Sequence, residues 1–122
     1  VDYIVRPDSM EPWHIHEGVQ ALIVGEGQKM TGLISIWEPG AEFGAHTHPH
    51  EQMGIVTEGE IVFIIEGKDY PARAGDCYTI PSNVPHGERN DGKVRAACME
   101  CFSPTREDLV KRRKFEMPMV DD

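Results

Sequence analysis

The stretch Gly40-Ala41-Glu42-Phe43-Gly44-Ala45-His46-Thr47-His48-Pro49-His50-Glu51-Gln52 decides how the rest of the chain reads. It gathers three imidazoles and one side-chain amide into seven residues, then gives way to an apolar run that starts at Met53. Successive side chains of a strand point to opposite faces, so positions 46, 48 and 52, of one parity, can turn into the same interior. A further histidine, His86, lies far downstream between Pro85 and Gly87. Imidazole nitrogens and an amide oxygen suit a borderline first-row ion, and His46, His48, Gln52 and His86 form the expected ligand set for one divalent metal. His50 shares the parity but follows Pro49, where the strand path bends; it is expected at the pocket edge or behind the ligands. Glu51 has the other parity and faces away.

Gln52 sets the electrostatics of such a site. Three neutral imidazoles and a neutral amide leave the divalent charge uncompensated, which favours an anionic ligand or a developing oxyanion.

Outward from this stretch, Gly, Pro, Asn and Asp cut the chain into short apolar segments. Strands are expected at 19–24, 30–37, 42–48, 53–57, 61–65, 77–81, 84–89 and 94–102, which describes an all-β sandwich or barrel. Residues 4–13 carry Pro7 and Pro12 and read as a lead-in that covers a sheet edge. His14 and His16 form a second H-x-H pair with no third ligand beside it, so surface or supporting histidines are expected. Only residues 105–114 change period: a short helix, with Thr105 as N-cap and Asp108 at the capping-box position. The whole, 1–122, reads as one domain with a barrel core over about 19–102.

Composition narrows the partners. Twenty-one Asp and Glu against twelve Lys and Arg give a net charge of −9, which repels nucleic acid and anionic lipid. No run of apolar residues is long enough to span a bilayer, and the opening residues lack the pattern of a secretory leader, so a cytoplasmic location is expected. Cys77, Cys98 and Cys101 are too few for a disulfide scaffold; Cys98 and Cys101, three apart on a strand, should point to opposite faces. The apolar segment 61–65 serves either as barrel lining or as a dimer face, and a homodimer is the expected assembly.

The motif residues carry a resemblance. Gly40-x5-His46-x-His48-x3-Gln52-x6-Gly59 resembles the first cupin motif, with Gln52 where most members have glutamate. Gly75-x5-Pro81-x-Asn83-x2-His86-x3-Asn90 resembles the second, with Asn83 where glycine is usual. The implied fold is the cupin-type double-stranded β-helix, a jelly-roll barrel, here with a short C-terminal helix. Within that superfamily the segments around His46, around His86 and at 102–108 look like the small pectin-degradation cupins, which open the ring of 4,5-unsaturated monouronates to 5-keto-4-deoxyuronate.

That resemblance implies a small anionic substrate, a uronate, and an acid and an aromatic on the last strand, where Glu100 and Phe102 fall. Positions 98, 100 and 102 share a face. The arginine expected slightly earlier falls on Ala97, leaving Arg95 or Arg89 to replace it. Glu100 as base, with Arg95 and Phe102 beside it, would act next to zinc, nickel or manganese, with iron admissible. The same residues are compatible with a metallo-cupin dioxygenase, a polyketide cyclase or a non-catalytic module that binds a sugar acid.

Overall fold

The computed structural model describes residues 2–117, and ten strands make up most of it. In chain order they are β1 (Trp13–His16), β2 (Val19–Glu26), β3 (Thr31–Trp37), β4 (Glu42–His46), β5 (Glu51–Glu58), β6 (Glu60–Ile65), β7 (Lys68–Arg73), β8 (Cys77–Ile80), β9 (His86–Arg89) and β10 (Ala96–Ser103). One helix, α1 (Glu107–Glu116), closes the described chain. The strands form a six-stranded sheet in the order β1-β2-β3-β10-β5-β8 and a four-stranded sheet in the order β4-β9-β6-β7. Every pairing is antiparallel, as a jelly roll requires.

Alternating polarity along the strands builds the core between the sheets. On β5 the side chains of Gln52 and Val56 are buried while Met53 and Thr57 are exposed, and on β6 Ile61 and Phe63 turn inward. The segment 61–65 is therefore barrel lining at those two positions. They meet Val19, Trp37, Val56, Tyr78, Ile80 and Cys98 in one apolar cluster. A second cluster of Trp13, Ala21, Ile23, Leu33 and Phe102 occupies the other end, with Leu109 and Val110 of α1 packed on it.

Turn chemistry fixes the register. Glu66 and Gly67 both have positive φ, 51° and 80°, the two-residue pattern whose twist matches an antiparallel hairpin, and β6 and β7 pair from Ile65↔Lys68 outward. Asn83 stands at φ 62°, a conformation asparagine tolerates better than most residues, which accounts for its presence where glycine is usual. Its backbone N–H donates to the carbonyl of His48 at 2.9 Å and ties the loop before β9 to the histidine segment.

Three local expectations need correction. β7 was not expected, because its charged residues and Pro71 hide it; it is an edge strand of the smaller sheet, where a missing N–H is tolerated and side chains stay wet. The strand expected to run to residue 48 ends at His46. The helix begins one residue later than its capping pattern implied: Arg106, not Thr105, takes the N-cap position, with no side-chain cap bond. Tertiary bonds hold the preceding residues off the helical path, since Arg106 N–H donates to Thr31 Oγ1 at 2.9 Å and the Thr105 carbonyl lies 3.2 Å from His50 Nε2. Cys98 is buried, Cys101 half-buried and Cys77 exposed, all with free thiols. No helix among the described residues is long and apolar enough to cross a membrane.

Candidate metal centre and its cavity

Antiparallel pairing brings β4 and β9 side by side with His46 opposite His86, so the two distant histidines of the sequence become lateral neighbours. His48, just past the end of β4, completes the group. One nitrogen from each of His46, His48 and His86 lies within 4.8 Å of the others, and these three could hold a metal ion.

The second nitrogen of each ring explains the arrangement. His46 Nδ1 lies 2.8 Å from the Gly44 carbonyl, His86 Nδ1 2.9 Å from the Val84 carbonyl, and His48 Nδ1 2.9 Å from the His50 carbonyl. A carbonyl oxygen only accepts, so each Nδ1 carries the proton and each Nε2 presents a lone pair. For His48 and His86 that Nε2 is buried with no hydrogen-bond partner. An unpaired buried nitrogen costs roughly 1–3 kcal/mol, and a shared cation satisfies all three at once. The donor set therefore fits a borderline divalent ion.

Burial and neighbouring charges keep the His48 and His86 rings neutral. Desolvation, then Arg106 and the other imidazoles, brings the His48 pKa down to about 4. Burial, with His46 and Arg106, also lowers that of His86. Neutral imidazoles at pH 7 are the form that binds metal.

Gln52 is buried on β5 and faces the same cavity. Its amide nitrogen donates to Glu100 Oε1 at 3.2 Å, which leaves the amide oxygen free of that contact. Glu100, on the inner face of β10, accepts a second hydrogen bond at the same oxygen from the Tyr78 hydroxyl. Tyr78 reaches it because Gly54 lies between them in the sheet, paired with Tyr78 on one side and Glu100 on the other, and has no side chain in the way. Burial raises the Glu100 pKa against the opposing pull of these two donors and of Arg106.

The cavity, about 530 Å³ with its open mouth, is lined by apolar groups from both sheets and from Leu109 of α1. Phe102 forms part of its wall, 5.8 Å from His48 between ring centroids. The expected arginines are not there. Arg95 is exposed and pairs with Glu58 at 3.3 Å; Arg89 pairs with Asp69 and Asp91 outside the barrel. Their positions follow from strand parity and from the turn before β10, which direct both side chains to the surface. Arg106 is the cation in the cavity instead, its guanidinium 4.7 Å from the Phe102 ring centre and bonded to Asp108. The sequence offered little signal for it, since an arginine at a helix start reads as a solvated end.

Glu88 also escaped the sequence reading. It lies two residues after His86 on the same face of β9, is 7% exposed and lines the cavity. The parity shared with His86 was the available signal. Burial and the charge of Glu100 push its carboxyl up to about 8. The remaining histidines lie outside the triad: His50 contributes its carbonyl to His48, His14 is hydrogen-bonded with Gln20, and the His16 ring stacks on Phe43.

Residues 33–102 match the cupin domain family. The chain belongs to that family. Among curated relatives, the HTH-type transcriptional regulator PuuR of Escherichia coli is 34% identical over 93 residues, covering 73% of this chain and 50% of that protein. The chain thus spans about half the length of that relative. The pectin degradation protein KdgF of Dickeya dadantii is 27% identical over 107 residues, 84% of this chain and 94% of that protein. The solved structure of KdgF from Halomonas sp. shares the cupin fold with a TM-score of 0.83 at 23% identity, covering 89% of this chain and 99% of that one.

Proposed function

We propose that this cupin opens the ring of 4,5-unsaturated monouronates in a metal-dependent isomerisation. The observation that carries the reading is one cavity bringing together a three-imidazole cluster, a cation and a held carboxyl: His46, His48 and His86, then Arg106, then Glu100. The similarity to a pectin degradation protein over most of both chains supports the same substrate class.

His46, His48 and His86, joined by the Gln52 oxygen, would hold the ion, with zinc, nickel or manganese preferred to iron. A divalent ion there supplies Lewis acidity toward negative charge on a substrate oxygen. Arg106, whose Nε and Nη2 are held by Asp108 and whose guanidinium stacks on Phe102, binds the uronate carboxylate through the N–H groups of Nη1 that remain. Glu100 takes the proton of the C1 hydroxyl at the carboxyl oxygen that Tyr78 and Gln52 hold in place. The electrons of that O–H bond form the C1 carbonyl as the bond from C1 to the ring oxygen breaks. The ring oxygen leaves as the enolate of C5, and a proton added at C4 completes the 5-keto-4-deoxyuronate. The apolar walls from Trp37, Phe43 and Leu109 limit water around these charges.

The test follows the C4 vinylic proton of an unsaturated monouronate by NMR, with bound metal quantified in the same sample. Loss faster than background in the loaded protein, absent in His48→Ala and Glu100→Gln, is the expected result. Unchanged decay with a full metal site removes the isomerase. The match to half of a transcriptional regulator favours a second reading, a module that binds a sugar acid without turnover, and saturable binding with no vinylic loss is its signature.

A further inference from the structure

We propose that Glu88 is a substrate-binding residue that accepts hydrogen bonds from the ring hydroxyls of a sugar acid, a role resting on the uronate reading above. The two buried acids of the cavity differ in how they are held. Glu100 has two protein donors on one oxygen, whereas no side-chain hydrogen bond to the Glu88 carboxyl exists among the described residues. His86 Nε2 stands 4.0 Å from Glu88 Oε1, beyond hydrogen-bonding range.

A donor nearby is committed elsewhere: Trp37 Nε1 donates to Ser35 Oγ at 3.0 Å. The Glu88 side chain is buried, and it lines the cavity beside Phe43, its cross-strand neighbour, so a ligand in the cavity can reach it. It faces the cavity from the wall opposite β10 and, with its carboxyl pushed up to about 8, offers a hydroxylated ring a carbonyl oxygen that accepts and an O–H that donates. Neutral donors in adjacent positions, such as the vicinal hydroxyls of a sugar ring, match it. A ring acid with adjacent hydroxyls fits this arrangement, with the acid group toward Arg106 and the hydroxyls toward β9.

The test compares two ligands by calorimetry on the full chain loaded with zinc: galacturonate, and tetrahydropyran-2-carboxylate, which keeps ring and carboxylate but has no hydroxyls. The wild type should prefer galacturonate, and Glu88→Ala should reduce that preference about two- to tenfold for each hydrogen bond lost. Glu88→Gln should lose part of it, with the bare acid and the zinc content unaffected in both variants. No preference in the wild type, a preference unchanged by the substitutions, equal weakening of both ligands, or loss of zinc would each overturn the assignment, the last by making Glu88 a metal ligand. Turnover of the unsaturated monouronate is followed separately. A Glu88-dependent preference without turnover retires the isomerase and keeps the ligand class; turnover without it does the reverse.

Discussion

Gly54→Ala should be among the most damaging single-methyl additions this protein can receive. A Cβ at position 54 would stand 2.6 Å from the Met99 carbonyl oxygen, 2.6 Å from the Tyr78 hydroxyl and 2.7 Å from Tyr78 Cζ. The first is backbone of the neighbouring strand and the others belong to a buried ring, so none gives way cheaply. To restore ordinary contact the Tyr78 ring must retreat by nearly an ångström, which breaks its bond to Glu100. Overpacking costs about 1–3 kcal/mol, and loss of a hydrogen bond to a charged or polar buried acid adds about 1.5–3 kcal/mol. Together the change should destabilise the fold by about 3–6 kcal/mol. For a domain of this size that corresponds to a fall in Tm of roughly 10 °C or more. Tyr78→Phe removes the hydroxyl but not the backbone fit, and should cost about 1–3 kcal/mol. Urea unfolding of the metal-free protein, followed by circular dichroism, measures both. A Gly54→Ala variant within about 0.5 kcal/mol of wild type, the usual scatter of neutral surface changes, would refute the reasoning.

Three further outcomes are expected. Because His48 stays neutral down to about pH 4, its contribution to stability is full above the unfolded value of 6.5 and is lost as pH falls through about 4; zinc retention measured against pH should hold well below pH 6, and His48→Ala should abolish it. Glu88 has the opposite sign, its folded pKa raised from 4.5 to about 8, so the stability it supports is present below 4.5 and lost as pH rises through 8. Unfolding of metal-free protein should therefore show stability declining across that interval by up to about 5 kcal/mol, and Glu88→Gln should flatten the decline. Arg106→Gln should raise the KM for the unsaturated monouronate about ten- to hundredfold, as expected for loss of a charge-assisted pair, while leaving bound zinc unchanged.

Much of the barrel was legible because alternating polarity and turn residues are local properties. The histidines were legible because parity places His46 and His48 on one inner face and a closed barrel must bring a distant strand to them. What parity cannot reveal is company. Glu88 and His86 share a face, but only the pairing of β4 with β9 shows that this face looks into the cavity. Arg106 falls where the sequence reads as the start of a helix, and nothing local tells that the chain folds back over Phe102. β7 was hidden for a different reason: an edge strand with wet side chains has no hydrophobic period to detect.

The protons that orient the three imidazoles all rest on main-chain oxygens, those of Gly44, Val84 and His50. Since every residue type carries that same carbonyl, exchanging the side chains at 44, 84 or 50 leaves the anchors themselves in place. Ring orientation is thereby inherited from the course of the backbone, and changes in which ion is taken up must arise from the ligating side chains or the walls around them.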